Sequence, residues 1–433
     1  MTRTRTTHAI TTHAITKHAI TKHARMILAM ILTYGIFAIL LNSVGTLILQ
    51  SQASLGASRA AASVLDAYKD LPIAIVSFLV ASWLPRFGYR RAMMTGLLLV
   101  AVACVGMLAM NTFWMVKLLL AATGVAFALV KVSVYSSIGL LTDDPKRHAS
   151  LTSTIEGWFM VGVLAGPWLF GAFIQRQRTP DDPVWLQAYA WLALACVVAI
   201  ALLASVRLDE SRARDGQGSL GAFADMLRLA LRPLVAVFVI SAFLYVLIEQ
   251  SIGTWLPTFN ADILHLSTAT SVEMASLFAA FTALGRLTAG QVLRRVPWHV
   301  LLSICVIATA LVMLIALPLA AGVPAPAGEG WRHAPLAAFA LPVTGFFLAP
   351  IYPTINSVVL SALPKARHAA MTGLIVVFSA LGGTTGSFVT GQVFAGTGGH
   401  AAFQLTLLPM TLLLAGILWL NMLSGPHDAR PAA

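Results

Sequence analysis

Long apolar runs separated by short polar stretches dominate the chain, and each run is of membrane-crossing length. The pattern predicts twelve helical spans: Met26–Gln50, Ser58–Leu84, Ala92–Met110, Trp114–Leu141, Leu151–Ile174, Trp185–Val206, Pro233–Phe259, Ser271–Leu293, His299–Gly322, Pro335–Ala362, Ala369–Ala395 and Ala401–Leu423. The longest polar segment, Arg207 to Arg232, reads as a linker. The chain then divides into a low-complexity tail (1–25), a first six-helix half (26–206), a cytoplasmic linker (207–232), a second six-helix half (233–423) and a short cytoplasmic tail (424–433). The expected class is an all-α membrane protein of two pseudo-symmetric six-helix halves.

Composition agrees with the pattern. Of the 433 residues, 58% are hydrophobic and 10% charged, with a mean hydropathy of +0.83. Soluble domains carry about 25% charged residues, so a soluble multidomain enzyme is excluded. The sequence shows no GxSxG, HExxH, P-loop or dinucleotide fingerprint, so no catalytic residue and no cofactor is expected. Cys104, Cys196 and Cys305 all fall inside apolar runs without metal-ligand spacing, and no metal site is expected. In the tail, His8, His13, His18 and His23 recur every five residues, and this stretch reads as a disordered basic segment rather than a metal site. Met26 is an alternative start.

The net charge of +12 lies in short loops, which speaks against a nucleic-acid partner. With the N-terminus cytoplasmic, 20 of the 28 Lys and Arg fall on the cytoplasmic side and 5 on the opposite side. That asymmetry predicts both termini inside a bacterial-type inner membrane.

The two halves repeat. Arg147-His148-Ala149 and Arg367-His368-Ala369 open the fifth and eleventh spans, 220 residues apart, and Gly162, Gly166 and Gly171 recur as Gly382, Gly386 and Gly391. Repeated six-span halves are a transporter architecture, with the solute site near mid-membrane between them. The glycines themselves read as close helix packing.

At this point the chain resembles the major facilitator superfamily. The loop Ala81 to Arg91 is similar to that superfamily's signature, with Arg86, Gly88, Arg90 and Arg91 in place, but Ala81 and Pro85 stand where it has glycine and aspartate. The resemblance makes these four residues, and Arg286 of the Gly285-Arg286 pair, candidates for a cytoplasmic gate. Within the superfamily, Tyr245 to Leu256 and Tyr352-Pro353-Thr354-Ile355 are most similar to the fucose-permease-like sugar:proton symporters. The acids that this group uses in its first and fourth spans are replaced here by Ser43 and Lys131.

Candidate chemistry must therefore come from other charges inside the spans. Ionisable groups there are costly and persist when paired or facing water. Asp66, Lys69 and Asp70 share a helix face roughly 12–18 Å along span two, at about 1.5 Å per residue. Lys131 and Glu156 are expected to form a second pair, while Glu249 and Arg286 are expected to lie apart. Asp66, Lys69, Asp70, Lys131, Glu156 and Glu249 are thus the proton-coupling or gating candidates. Tyr34, Asn42, Lys131, Tyr135, Tyr245, Glu249, Gln250, Tyr352 and Asn356 are the solute-binding candidates. Trp255 is expected in an interfacial aromatic belt, with a sugar-stacking role as the alternative, and Pro350 and Pro353 predict a local break of span ten.

The reading is a proton-coupled secondary transporter of a sugar or small organic anion, working by alternating access as a monomer in the bilayer. An exporter of a drug-like or metal-chelating metabolite, and a non-transporting receptor or scaffold, are the alternatives.

Overall fold

The computed structural model describes residues 24–81, 84–141, 145–206, 208, 210, 233–328, 330–361 and 368–424. Nearly all of the N-terminal tail, most of the linker and the C-terminal tail lie outside the described residues. Every regular element among the described residues is helical. The principal helices are α1 (Ala24–Leu41), α2 (Val44–Leu55), α3 (Leu65–Ala81), α4 (Tyr89–Ala109), α5 (Phe113–Leu141), α6 (Pro145–Ile174), α7 (Gln187–Ser205), α8 (Pro233–Asp262), α9 (Thr268–Val292), α10 (Trp298–Ala320), α11 (Ile351–Ser361), α12 (His368–Thr397) and α13 (Leu407–Ser424).

Among the described residues, ten helical stretches are long and apolar enough to cross a bilayer. Two expected spans fall short of that measure. Helix α3 is 17 residues long and holds Asp66, Lys69 and Asp70, and α9 carries Glu273 and Arg286 within a Thr- and Ser-rich sequence. The outward surface is apolar: Ile75, Leu79, Val102, Trp191, Val197, Ile315 and Met422 are all more than half exposed. On a water-soluble protein such a surface would aggregate, whereas in lipid it is the matching exterior.

Two expected spans are discontinuous. Proline cannot donate to the helical ladder, and the tenth span is interrupted as predicted, with Thr344–Leu348 ending just before Ala349-Pro350 and α11 starting at Ile351. The break between α1 and α2 at Asn42-Ser43 runs against the expectation of one continuous helix over Met26–Gln50. No proline marks it. The side chains mark it instead, because Asn42 Nδ2 donates to Ala38 O (2.9 Å) and Ser43 Oγ to Leu40 O (2.8 Å), competing with the backbone ladder.

Helix α4 packs on α5 and α7, and α3 packs on α5; later in the chain α8 packs on α12 and α13. Early and late helices meet chiefly where α2 packs on α8, α3 on α12 and α6 on α9. The repeated glycines lie at crossings. Gly162 of α6 faces the Gly35 carbonyl of α1, where an added methyl would come within 2.7 Å, while Gly382 and Gly386 of α12 press on the backbone of Phe243 and Leu247 in α8.

One end of the bundle is closed by contacts between early and late helices. Arg59 grips Asp262 Oδ2 through Nε (3.0 Å) and Nη2 (2.5 Å). Glu273, a buried carboxylate, accepts from Gln175 Nε2 (2.6 Å) and Trp331 Nε1 (3.0 Å). The Trp331 ring stacks on Trp168 at 5.4 Å, and Gln392 Nε2 reaches Ser63 Oγ at 3.3 Å.

Two outcomes follow from this packing. Gly382→Ala lowers thermal stability in detergent by about 1–3 kcal/mol through overpacking, whereas Gly166→Ala, whose nearest neighbour would be Ile39 at 3.5 Å, is neutral or slightly stabilising. A cysteine at Ser276, one turn from Glu273, reacts slowly with a bulky thiol reagent added at the closed end. Adding Glu273→Ala removes the Gln175 hydrogen bond across the closure and the Trp331 bond beside it, and speeds that labelling on the order of tenfold.

Candidate functional site

The site grows from the break between α1 and α2. A helix that stops at Leu41 leaves carbonyls without ladder partners, and inside a membrane each must find another donor. Lys69 of α3 supplies one, with Nζ donating to Leu41 O at 3.3 Å. The same ammonium lies 3.0 Å from Asp66 Oδ1 and 3.4 Å from Asp70 Oδ1. Asp66 is wholly buried and Lys69 nearly so. Asp66 sits in the first turn of α3, where the positive end of the helix dipole favours a carboxylate. Burying two acids and a base is therefore compensated by an ion triad, a helix terminus and a backbone carbonyl together.

Lys69 also faces a cavity of about 240 Å³. Asn42, Gly45 and Thr46 form its wall from the α1–α2 break, and Phe159, Met160 and Pro167 from α6. The opposite wall is Glu249, Gln250, Gly253, Thr254 and Pro257 of α8 with Ser276, Thr282 and Arg286 of α9. Pro257 has no N–H for the Gly253 carbonyl, and both residues border the cavity. Gly45 permits the close approach, since a side chain there would meet the Thr254 carbonyl at 2.5 Å.

Glu249 and Arg286 were expected to lie apart, but both line this cavity and interact electrostatically. The separation in sequence hid the pair because α8 and α9 are antiparallel neighbours that return Arg286 to the depth of Glu249. Glu249 Oε1 accepts from Tyr245 (2.8 Å), whose ring stacks on Tyr352 at 5.5 Å, and the Tyr352 hydroxyl meets Ser379 Oγ at 2.8 Å. Arg286 Nη1 meets the Met160 sulfur at 3.7 Å. Arg286 thus belongs to the cavity wall, away from the loop with which it was grouped as a gate residue.

Of the sequence-derived candidates, Asn42, Lys69, Glu249, Gln250 and Arg286 line the cavity, while Asp66 and Asp70 stand behind Lys69. Tyr245 and Tyr352 back Glu249. Tyr34, Lys131, Tyr135, Glu156 and Asn356 are not among the lining residues. Glu156 was expected to pair with Lys131; the two interact electrostatically, while Glu156 also accepts the Tyr135 hydroxyl and Lys131 Nζ lies 5.8 Å from the Phe127 ring centroid. Tyr34 joins this group edge-on to Tyr135 and Phe159. Trp255 is in neither of its expected places, because it is fully buried and donates to the Ser387 carbonyl at 3.0 Å.

In the signature-like loop, Arg86 is exposed and Gly88 adopts φ 97° against the Glu210 carboxylate. The Arg90 N–H donates to Glu210 Oε1 (2.9 Å), and Arg90, Arg91 and Glu210 border one crevice. The carboxylate absent at Pro85 is thus present from a residue distant in sequence. Glu273, Arg59 and Asp262 are isolated charges near span ends and Glu210 is one of many in the linker, so only partners distant in sequence give each its place. Among the described residues, no group of three or more His, Cys, Asp or Glu is arranged to hold a metal.

The profile of the Major Facilitator Superfamily matches residues 26–387. A glucose/galactose transporter of Brucella abortus biovar 1 (strain 9-941) is 23% identical over 353 residues, 77% of this chain and 79% of that protein. A D-xylose–proton symporter structure superposes with a TM-score of 0.69 at 14% identity, over 92% of this chain and 96% of the other. The fucose:proton symporter of E. coli does so with a TM-score of 0.58 at 17% identity, over 92% and 98%. The fold, the apolar exterior and the matched profile agree: the chain is a multi-pass membrane transporter, not an enzyme, and belongs to the Major Facilitator Superfamily.

Proposed function

We propose that the chain carries a sugar across the membrane by alternating access, coupled to protons through Asp66 and Asp70. The observation that carries this reading is the polar cavity with Lys69 and its two aspartates on one wall and Glu249 with Arg286 on the other. These five groups sum to a formal charge of −1. Taking up one proton makes the set neutral, which suits co-transport with an uncharged solute that needs hydrogen bonds. Asn42, Thr46, Gln250, Thr254 and Ser276 supply hydroxyl and amide groups for such a solute. The sugar-handling names of the relatives support the solute class.

In this reading α3 and α9 complete twelve crossings in two halves, 26–206 and 233–423, joined by a cytoplasmic linker. Both termini face the cytoplasm of a bacterial-type inner membrane, and a monomer is the working unit. The end sealed by Arg59–Asp262 and Glu273 then faces outward, and the conformation is closed to the outside. Lys131, Tyr135 and Glu156, on the cytoplasmic side of the cavity, become a gating group rather than part of the binding wall.

Proteoliposomes with an imposed proton gradient test the reading, scanned across glucose, galactose, xylose, fucose and small carboxylates. The expected result is accumulation of at least one sugar that collapses when a protonophore is added. Asp70→Asn abolishes accumulation but retains exchange of labelled for unlabelled sugar. Accumulation indifferent to the gradient, or unchanged in Asp70→Asn, removes the proton coupling, and absence of flux for every sugar removes the solute class.

A further inference from the structure

We propose that the oxygen cage around Lys69 Nζ is a monovalent-cation site that the chain fills with its own ammonium. Three oxygens from two helices surround the nitrogen: Asp66 Oδ1 at 3.0 Å, Asp70 Oδ1 at 3.4 Å and Leu41 O at 3.3 Å. The carbonyl belongs to the last residue of α1, at the negative end of that helix dipole. Carbonyls at a helix break, joined by carboxylates, are the oxygen donors that hold coupling cations in transporters.

A second observation separates the cage from an ordinary acidic cluster. Asp66 is wholly buried, yet neither carboxylate oxygen has a hydrogen-bond partner; Oδ1 has only its ion contact with Lys69 at 3.0 Å, and Oδ2 has none. The cage thus offers more oxygen ligation than one tethered ammonium uses, a surplus that matches a bare ion better than a lysine. Lysine is a compact point charge on a flexible stem, so it can sit where a small cation would. The cage opens on the cavity through Lys69 itself, so a free cation has a path to it once the side chain is shortened.

The consequence is a choice of coupling ion. With the ammonium in place, Na⁺ finds the site taken, and protons are left as the ion that the aspartates exchange. That consequence rests on the transport reading above; the binding claim does not.

The test is thermal unfolding of the purified full chain in detergent, in NaCl or choline chloride at equal ionic strength. Wild type shows no Na⁺-specific shift. Lys69→Ala acquires a saturable, Na⁺-specific rise in Tm of about 2–4 °C, which is lost again in the Lys69→Ala/Asp66→Asn double variant. If Lys69→Ala is not recovered folded in either salt, Lys69→Gln, uncharged but close in length, is read by the same criterion. A saturable Na⁺ effect in wild type overturns the proposal, and so does a Lys69 variant indifferent to Na⁺. The readout needs no transported solute, so its failure leaves the sugar assignment standing, and a failed uptake assay leaves this result standing.

Discussion

The rest of the site depends on one requirement: a helix broken inside a membrane must have its freed carbonyls satisfied by protein. The Asn42 and Ser43 side chains add bonds to Ala38 O and Leu40 O, which also accept backbone N–H groups, and Lys69 reaches the freed Leu41 carbonyl from the next helix. Placing an ammonium there requires counter-charge, which Asp66 and Asp70 provide on the same helix face. The ion triad of Asp66, Lys69 and Asp70 and the bend are mutually dependent. Removing either acid leaves a buried charge short of compensation, and removing the lysine leaves two carboxylates facing each other.

The bend in turn shapes the cavity. It turns Asn42 and Thr46 toward the α8–α9 wall, while Gly45 lets α2 settle against the Thr254 carbonyl. The opposite wall carries a proline, Pro257, inside the continuous helix α8. Charged groups stand on both walls, with Lys69 on one side and Glu249 with Arg286 on the other. A solute held between them would touch polar atoms from early and late helices at once. The seal around Glu273 and Arg59–Asp262 lies on or beside these same helices.

The close packing is carried by small residues. Gly162 against Gly35, and Gly382 and Gly386 against Phe243 and Leu247, bring backbones into direct contact. Close contact without interlocked side chains holds helices by dispersion and shape alone. The polar contacts, by contrast, gather at the sealed end and around the cavity.

The sequence by itself determined the helical class, the approximate positions of the helices and the unusual charge density of Asp66–Asp70, because apolar run length and the cost of buried charge are local properties. Repeat spacing added the glycine crossings, and the paired prolines foretold the break before α11. Only the tertiary structure decided which charges meet. Glu249 and Arg286 line one cavity, Glu156 bonds Tyr135 beside Lys131, Trp255 is buried against Ser387, and Glu210 returns to the loop at Gly88. It also decided the break at Asn42-Ser43, whose freed carbonyl is supported by a lysine 28 residues away. Each of these depends on how helices fold back beside one another, a geometry that a span's own residues do not encode.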